Sequence, residues 1–131
     1  MIIKRIYVAE PDLTGNELKY VANCIKTGWV SSNGGYVTEF ADKFAKYCGV
    51  KYGVPVSNGT VALHLALLAL KIGSGDEVLV PGLTFVATAN AVLYTGAKPV
   101  FLESSKNTWC LDPQDIENKI TKKTKAILFC Y

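Results

Sequence analysis

Apolar and polar residues follow two different rhythms along this chain. Leu18, Val21, Ala22 and Ile25 recur every three or four positions, the spacing of one helix face, and Thr27-Gly28 closes the run. Thr14 precedes Glu17 by three residues, which predicts a capping box at the start of that helix, after an extended opening through Pro11. Val37, Phe40, Phe44, Ala45 and Tyr47 repeat the helical pattern from Tyr36 until Gly49, and the turn-like "GWVSSNGG" lies between the two helices. Beyond Gly49 the rhythm changes. Short apolar runs at Tyr52–Val56, Glu77–Val80, Pro99–Leu102 and Ala126–Cys130 predict strands, alternating with predicted helices over 60–70, 84–94 and 112–120. Asp112-Pro113 is a typical helix start, and Gly75-Asp76 a turn before a strand. The alternation predicts an α/β fold of three layers, a mostly parallel sheet flanked by helices.

One junction carries candidate chemistry. The segment Val61–Leu70 is apolar on every side, which predicts a buried helix whose N-terminal N–H groups need acceptors. Ser57-Asn58-Gly59-Thr60 stands at that N-terminus. Two readings stay open: a side chain of Ser57 or Asn58 caps the helix, or an anion binds there, with Gly59 admitting close approach and Thr60 adding a hydroxyl. Neither nucleotide-binding glycine pattern, G-x-x-x-x-G-K-[ST] or G-x-G-x-x-G, is present, so a phosphate here would belong to a cofactor held by further loops at the same sheet edge. In "VPGLTFVATANAV", Thr84 is predicted to cap a helix and to place Phe85 at its start, where an aromatic can lie against a planar ring. His64, one turn beyond Thr60, is poorly placed for proton transfer and reads as a hydrogen-bonded packing residue. Asp76 and Glu77 read as solvated, and Glu103 as an acid near the pocket.

Composition narrows the alternatives. Half of the 131 residues are apolar, so the chain is not a disordered one. Lysine and arginine number 14 against 11 acids, and the one basic run, Lys122-Lys123-Thr124-Lys125, has no aromatic company, which argues against a nucleic-acid partner. Met1–Arg5 is too charged for a secretory signal and no run is long enough to span a membrane, which makes a cytoplasmic location the expectation. Cys24, Cys48, Cys110 and Cys130 are widely spaced and only one histidine is present, so the expectation is reduced, mostly buried thiols and no metal site.

The stretch from "GWVSSNGGYVTEF" through "VPVSNGTVALHLALLALKIGSGDEVLVPGLTFVATANAVLYTGAKPVFLE" closely resembles the N-terminal part of the DegT/DnrJ/EryC1/StrS family, and the likeness runs from about Glu10 to Tyr131. That resemblance implies the large domain of the aspartate-aminotransferase-like, pyridoxal-phosphate-dependent fold. It also implies amino transfer from an amino acid such as glutamate to a nucleotide-linked keto sugar. Ser57, Asn58, Gly59 and Thr60 would embrace the cofactor phosphate and Phe85 would stack on its ring. Trp29, Ser31, Ser32, Asn33, Gly34 and Thr84 would lie toward the substrate, while Thr88 and Asn90 hold the loop and helix or touch ligand. A homodimer with active sites at the subunit boundary is the family's usual assembly.

The lysine that holds the cofactor covalently and the aspartate that faces its pyridine nitrogen have no match here. Lys51, Lys71, Lys98 and Lys106 read as surface residues, so no catalytic residue is assigned. The chain, one partial domain over 1–131, is therefore expected to be the inactive N-terminal portion of a longer enzyme, a view its apolar terminal strand "AILFCY" also favours. Two alternatives remain: a sugar dehydratase of the same family, in which a histidine replaces the lysine, and a short noncatalytic remnant or binding module.

Overall fold

A computed structural model describes residues 6–7 and 9–130; the charged segment Met1–Arg5, Val8 and Tyr131 lie outside the described residues. Two compact units, residues 1–55 and 56–131, make up the chain.

The first unit carries α1 (Glu17–Thr27) and α2 (Gly35–Tyr47). The expected capping box does not form. Asn16 holds the cap position without a side-chain bond, because Thr14 turns back on Asp12: its N–H and hydroxyl both donate to Asp12 Oδ1, at 3.1 and 2.7 Å. Gly28 ends α1 at φ +76°, a conformation that favours glycine. Tyr36 donates its hydroxyl to Asn23 at 3.2 Å and meets Tyr20 edge-on at 5.1 Å, joining the two helices. Their apolar stripes are otherwise open: Ala45 alone is buried, while Leu18, Ile25, Phe40 and Phe44 are exposed. Tyr52–Val56 makes no strand. Pro55 removes a ladder donor, and Gly53 passes so close to the Ala41 carbonyl that any Cβ would collide with it.

The second unit runs α3 (Gly59–Ala69), β1 (Glu77–Pro81), α4 (Ala87–Tyr94), β2 (Lys98–Leu102), α5 (Pro113–Lys119) and β3 (Thr124–Ile127). All pairings in its three-stranded sheet are parallel, in the order β2-β1-β3. β1 therefore has neighbours on both sides, and Val78, Leu79 and Val80 are fully buried. Pro99 is tolerated in β2 because that strand is an edge of the sheet. Right-handed crossovers running first outward to β2 and then back past β1 to β3 place α4 and α5 on opposite faces. Leu67, Ile72, Val78, Val80, Ala91, Val92 and Ala97 form the core, with Leu63, Ala126 and Leu128 packed against it.

Several expectations are corrected here. α3 is not buried on every side; Leu67 is enclosed, but Leu65 remains 41% exposed and Val61, Leu68 and Leu70 are exposed too, because among the described elements α4 is its packing partner. The helix expected from Thr84 begins at Ala87, with no side-chain cap. β3 starts at Thr124 and ends at Ile127, earlier than the apolar run suggests, and the Leu128 N–H just beyond it still donates to the Leu79 carbonyl at 2.9 Å. The cysteines are free, but Cys48, Cys110 and Cys130 are exposed and Cys24 is half-buried. The Asp112 cap is as expected, accepting from the Gln114 N–H at 3.0 Å.

Asp76 and Glu77 are not simply solvated. Asp76 accepts from the Gly73 N–H at 3.0 Å, and the Glu77 side chain is only 14% exposed. The Thr121 hydroxyl donates to Glu77 at 2.7 Å and Lys98 lies at 3.5 Å. The Thr121 bond holds the Glu77 carboxyl below its ordinary value of 4.5; burial opposes it, and Lys98 and Lys123 assist. A depressed folded-state pKa contributes stability that is complete above the unfolded value and lost as pH falls through the folded one. Thr121→Val is therefore expected to destabilise the chain at neutral pH and to weaken the loss of stability below pH 4.5, as read from urea midpoints along a pH series.

Candidate functional site

Asn58 is extended and its side-chain Oδ1 accepts from the Val61 N–H at 3.0 Å, so the capping reading holds for Asn58. Its amide group donates to Ser57 Oγ at 3.2 Å, which leaves the Ser57 hydroxyl hydrogen directed elsewhere. The Asn58 carbonyl takes the Ala62 N–H at 3.1 Å. The N–H groups of Gly59 and Thr60, and the Thr60 hydroxyl, find no acceptor among the described residues. Two free amides remain at the positive end of an eleven-residue helix beside the cap, so the Asn58 cap leaves the anion reading open. A Cβ at Gly59 would meet nothing within 4 Å, so the approach to these amides is open.

A cleft of about 730 Å³ lies over this turn. Asn58, Gly59 and Thr60 line it together with Thr84, Phe85, Phe129 and Cys130. Its position outside the C-terminal ends of β1 and β3 is where parallel sheets hold ligands. Phe85 is 75% exposed, so its ring is available to a planar partner. Thr84 does not cap α4; its hydroxyl pairs with that of buried Thr88 at 2.9 Å and pins the loop that carries Phe85. Ser57 adjoins the cleft through Asn58 without lining it, and Asn90 is half-buried within α4, also away from its walls.

Phe129 and Cys130 line the cleft without having been expected at the site, as do Ala62, Leu63 and Ala87 of the two helices. The signal for Phe129 and Cys130 was available, since they follow directly on β3 at the same sheet edge as Phe85 follows β1. Glu103 lines a different cavity, and His64 packs edge-on against Tyr94 at 5.7 Å with its buried Nε2 unbonded, so its expected hydrogen bond is absent at that atom.

The other expected site residues belong to the first unit. Trp29, Ser31 and Gly34 line a cavity of about 230 Å³. Trp29 also borders one of about 400 Å³ with Asn23, Thr27 and Tyr36. Ser31 accepts from the Asn33 N–H at 3.3 Å, Gly34 caps α2, and Ser32 and Asn33 are exposed. No group of residues able to hold a metal ion occurs among the described residues, and no described helix is long and apolar enough to cross a membrane.

The model of the DegT/DnrJ/EryC1/StrS aminotransferase family matches residues 11–130. The chain belongs to this family. Among curated DegT/DnrJ/EryC1/StrS relatives, the GDP-perosamine synthase of Escherichia coli O157:H7 is 55% identical over 126 residues, covering 96% of this chain and 35% of the relative. The GDP-perosamine synthase of Caulobacter vibrioides is 52% identical, covering 96% and 34%. Spr1654 from Streptococcus pneumoniae, solved in a PMP form and a PLP form, superposes with a TM-score of 0.85 at 32% identity, over 95% of this chain and 31% of that one. The chain thus spans about a third of the length of the relatives it matches. With these neighbours, its parallel sheet and flanking helices are the N-terminal part of the aspartate-aminotransferase-like fold.

Proposed function

We propose that this chain supplies the phosphate seat and one ring-facing wall of an aminotransferase acting on a nucleotide-linked keto sugar. The observation that carries the reading is the cleft in which the free Gly59 and Thr60 amides and the exposed Phe85 ring meet. Pyridoxal phosphate fits these residues in part. A phosphate monoester suits the helix N-terminus, the Thr60 hydroxyl and Ser57, and a flat heterocycle suits Phe85. When bound, the cofactor supplies the electron sink of amino transfer. Neither lysine nor aspartate lines the cleft, so the covalent attachment and the pyridine-nitrogen partner are left to polypeptide that this sequence does not include.

In this reading the chain's own residues bind and orient; they do not move the proton. Asn58 holds the turn so that the Gly59 and Thr60 amides face the phosphate, and the Thr84–Thr88 hydroxyl pair steadies the loop behind Phe85. The segment of Trp29, Ser31, Ser32, Asn33 and Gly34 faces substrate, glutamate serves as amino donor, and the complete protein works as a cytoplasmic homodimer. The names of the two curated relatives favour guanosine diphosphate as the nucleotide.

The test is a chimera in which this chain replaces the matching N-terminal third of the E. coli GDP-perosamine synthase. Glutamate-dependent amination of a nucleotide-linked keto sugar is expected from the chimera and not from the 131 residues alone. A folded, cofactor-loaded chimera that dehydrates the sugar instead, or does neither, would overturn the reading.

A further inference from the structure

The three strands begin along one edge of the sheet. Glu77 of β1 is in register with Lys98 of β2 and Thr124 of β3, and all pairings are parallel. The cleft of Phe85 opens at the opposite edge, beyond the ends of β1 and β3. Segments 70–76, 95–97 and 120–123, which lead into the strands, therefore form a rim at the far end of the sheet from the cleft.

Charge is sorted between the two ends of unit 56–131. Lys71, Lys98, Lys122 and Lys123 stand at the rim and Lys125 one residue into β3, all of them exposed, against two acids, Asp76 and Glu77. Both acids are engaged within the fold: Asp76 accepts from the Gly73 N–H at 3.0 Å, and Glu77 from the Thr121 hydroxyl at 2.7 Å with Lys98 at 3.5 Å. Lys71, Lys122 and Lys125 form no ion pair among the described residues. The other acids of the unit lie elsewhere. Glu103 opens the hairpin that carries Trp109, and Asp112, Asp115 and Glu117 belong to the cap and body of α5.

Apolar side chains stand among these lysines. α3 and α5 each run back to the rim before the next strand, and their C-caps are Leu70, 67% exposed beside Lys71, and Ile120, 53% exposed and two residues before Lys122. Lys71 takes φ +59°, so the chain carries a lysine at a helix end where glycine is less strained.

We propose that this rim docks the protein on an anionic lipid surface, a role that goes beyond the functional reading and does not depend on it. Clustered lysines are drawn to acidic headgroups, and exposed apolar tips seat at the boundary between headgroups and acyl chains. Nucleic acid fits less well, because segments 70–76, 95–97 and 120–123 hold neither an arginine nor an aromatic ring. A packed protein partner also fits less well, since lysine is depleted from the cores of protein interfaces. With the rim on the lipid, the cleft at the opposite edge faces away from it.

Sedimentation with vesicles of phosphatidylcholine, alone or mixed with phosphatidylserine, tests the assignment. At low salt the chain is expected to bind the anionic vesicles at least about tenfold more tightly than the neutral ones, and to be released near 1 M salt, where screening acts within about 3 Å. Lys122→Gln combined with Lys123→Gln should weaken binding about 25-fold, or about fivefold for each lysine. Leu70→Gln should weaken it several-fold, and Lys106→Gln, on the exposed hairpin, should leave it unchanged. Circular dichroism checks that each variant is folded. No binding to anionic vesicles, equal binding to neutral ones, an undiminished affinity in the double lysine or the Leu70 variant, or an equal loss in Lys106→Gln would each overturn the proposal. Capture by polyglutamate in place of vesicles would also overturn it and would point to an acidic protein partner. The chimera should bind the same vesicles; one that does not would mean that the rest of the protein covers the rim, which would sink the docking role. Amination by the chimera, whatever its vesicle binding, leaves the functional reading standing.

Discussion

Gly59→Asp, introduced into the chimera, is expected to reduce pyridoxal phosphate affinity by about a hundredfold or more, because a carboxylate set against the phosphate costs several kcal/mol. The same change should leave the fold intact. The glycine has an ordinary backbone conformation and an added Cβ meets no atom within 4 Å. An acid in the first turn of α3, which has none, improves the helix by about 0.3–1 kcal/mol. Gly59→Asn separates charge from bulk and should lose far less affinity. Cofactor occupancy by absorbance, alongside a thermal melt, reads both consequences. An aspartate variant that binds as well as the parent would place the phosphate elsewhere.

Leu79→Ala is expected to destabilise unit 56–131 by about 2–5 kcal/mol, a large share of the roughly 5–15 kcal/mol that holds a typical domain. Leu79 is fully buried in the central strand, on the face opposite Val78 and Val80, and both faces of β1 are covered. Leu65→Ala should cost far less, since that side chain is 41% exposed on the open side of α3. Urea midpoints of the two variants test this ranking. Equal costs would mean that the outer side of α3 is covered in solution.

That contrast shows what the sequence could and could not specify. Alternating strand and helix patterns found all three described strands and all five helices, because periodicity reports local geometry directly. Burial of α3 was over-read: an all-apolar helix says that cover suits it, not which elements provide the cover. Tyr52–Val56 failed as a strand for a related reason, since apolar character does not supply a ladder partner and Pro55 removes one donor. Thr14 was misplaced because Asp12 competed for its hydrogen bonds, a choice that three-residue spacing alone does not settle.

At the candidate site, Asn58, Gly59, Thr60 and Phe85 were legible from the junction of an extended run with a helix, and from the family resemblance. Their meeting in one cleft required the parallel order of β1 and β3, which also brought in Phe129 and Cys130. The hairpin around Trp109 had no signature in hydropathy, because its conformation depends on backbone bonds between Ser105 and residues 109–110.

The most direct test is a backbone-amide NMR titration of the chain with pyridoxal phosphate and, in parallel, with pyridoxal. The account predicts that the phosphorylated compound shifts the Gly59 and Thr60 amide resonances, that inorganic phosphate competes for them, and that pyridoxal leaves them in place. Unmoved Gly59 and Thr60 amides at saturation, or equal shifts from pyridoxal, would contradict it.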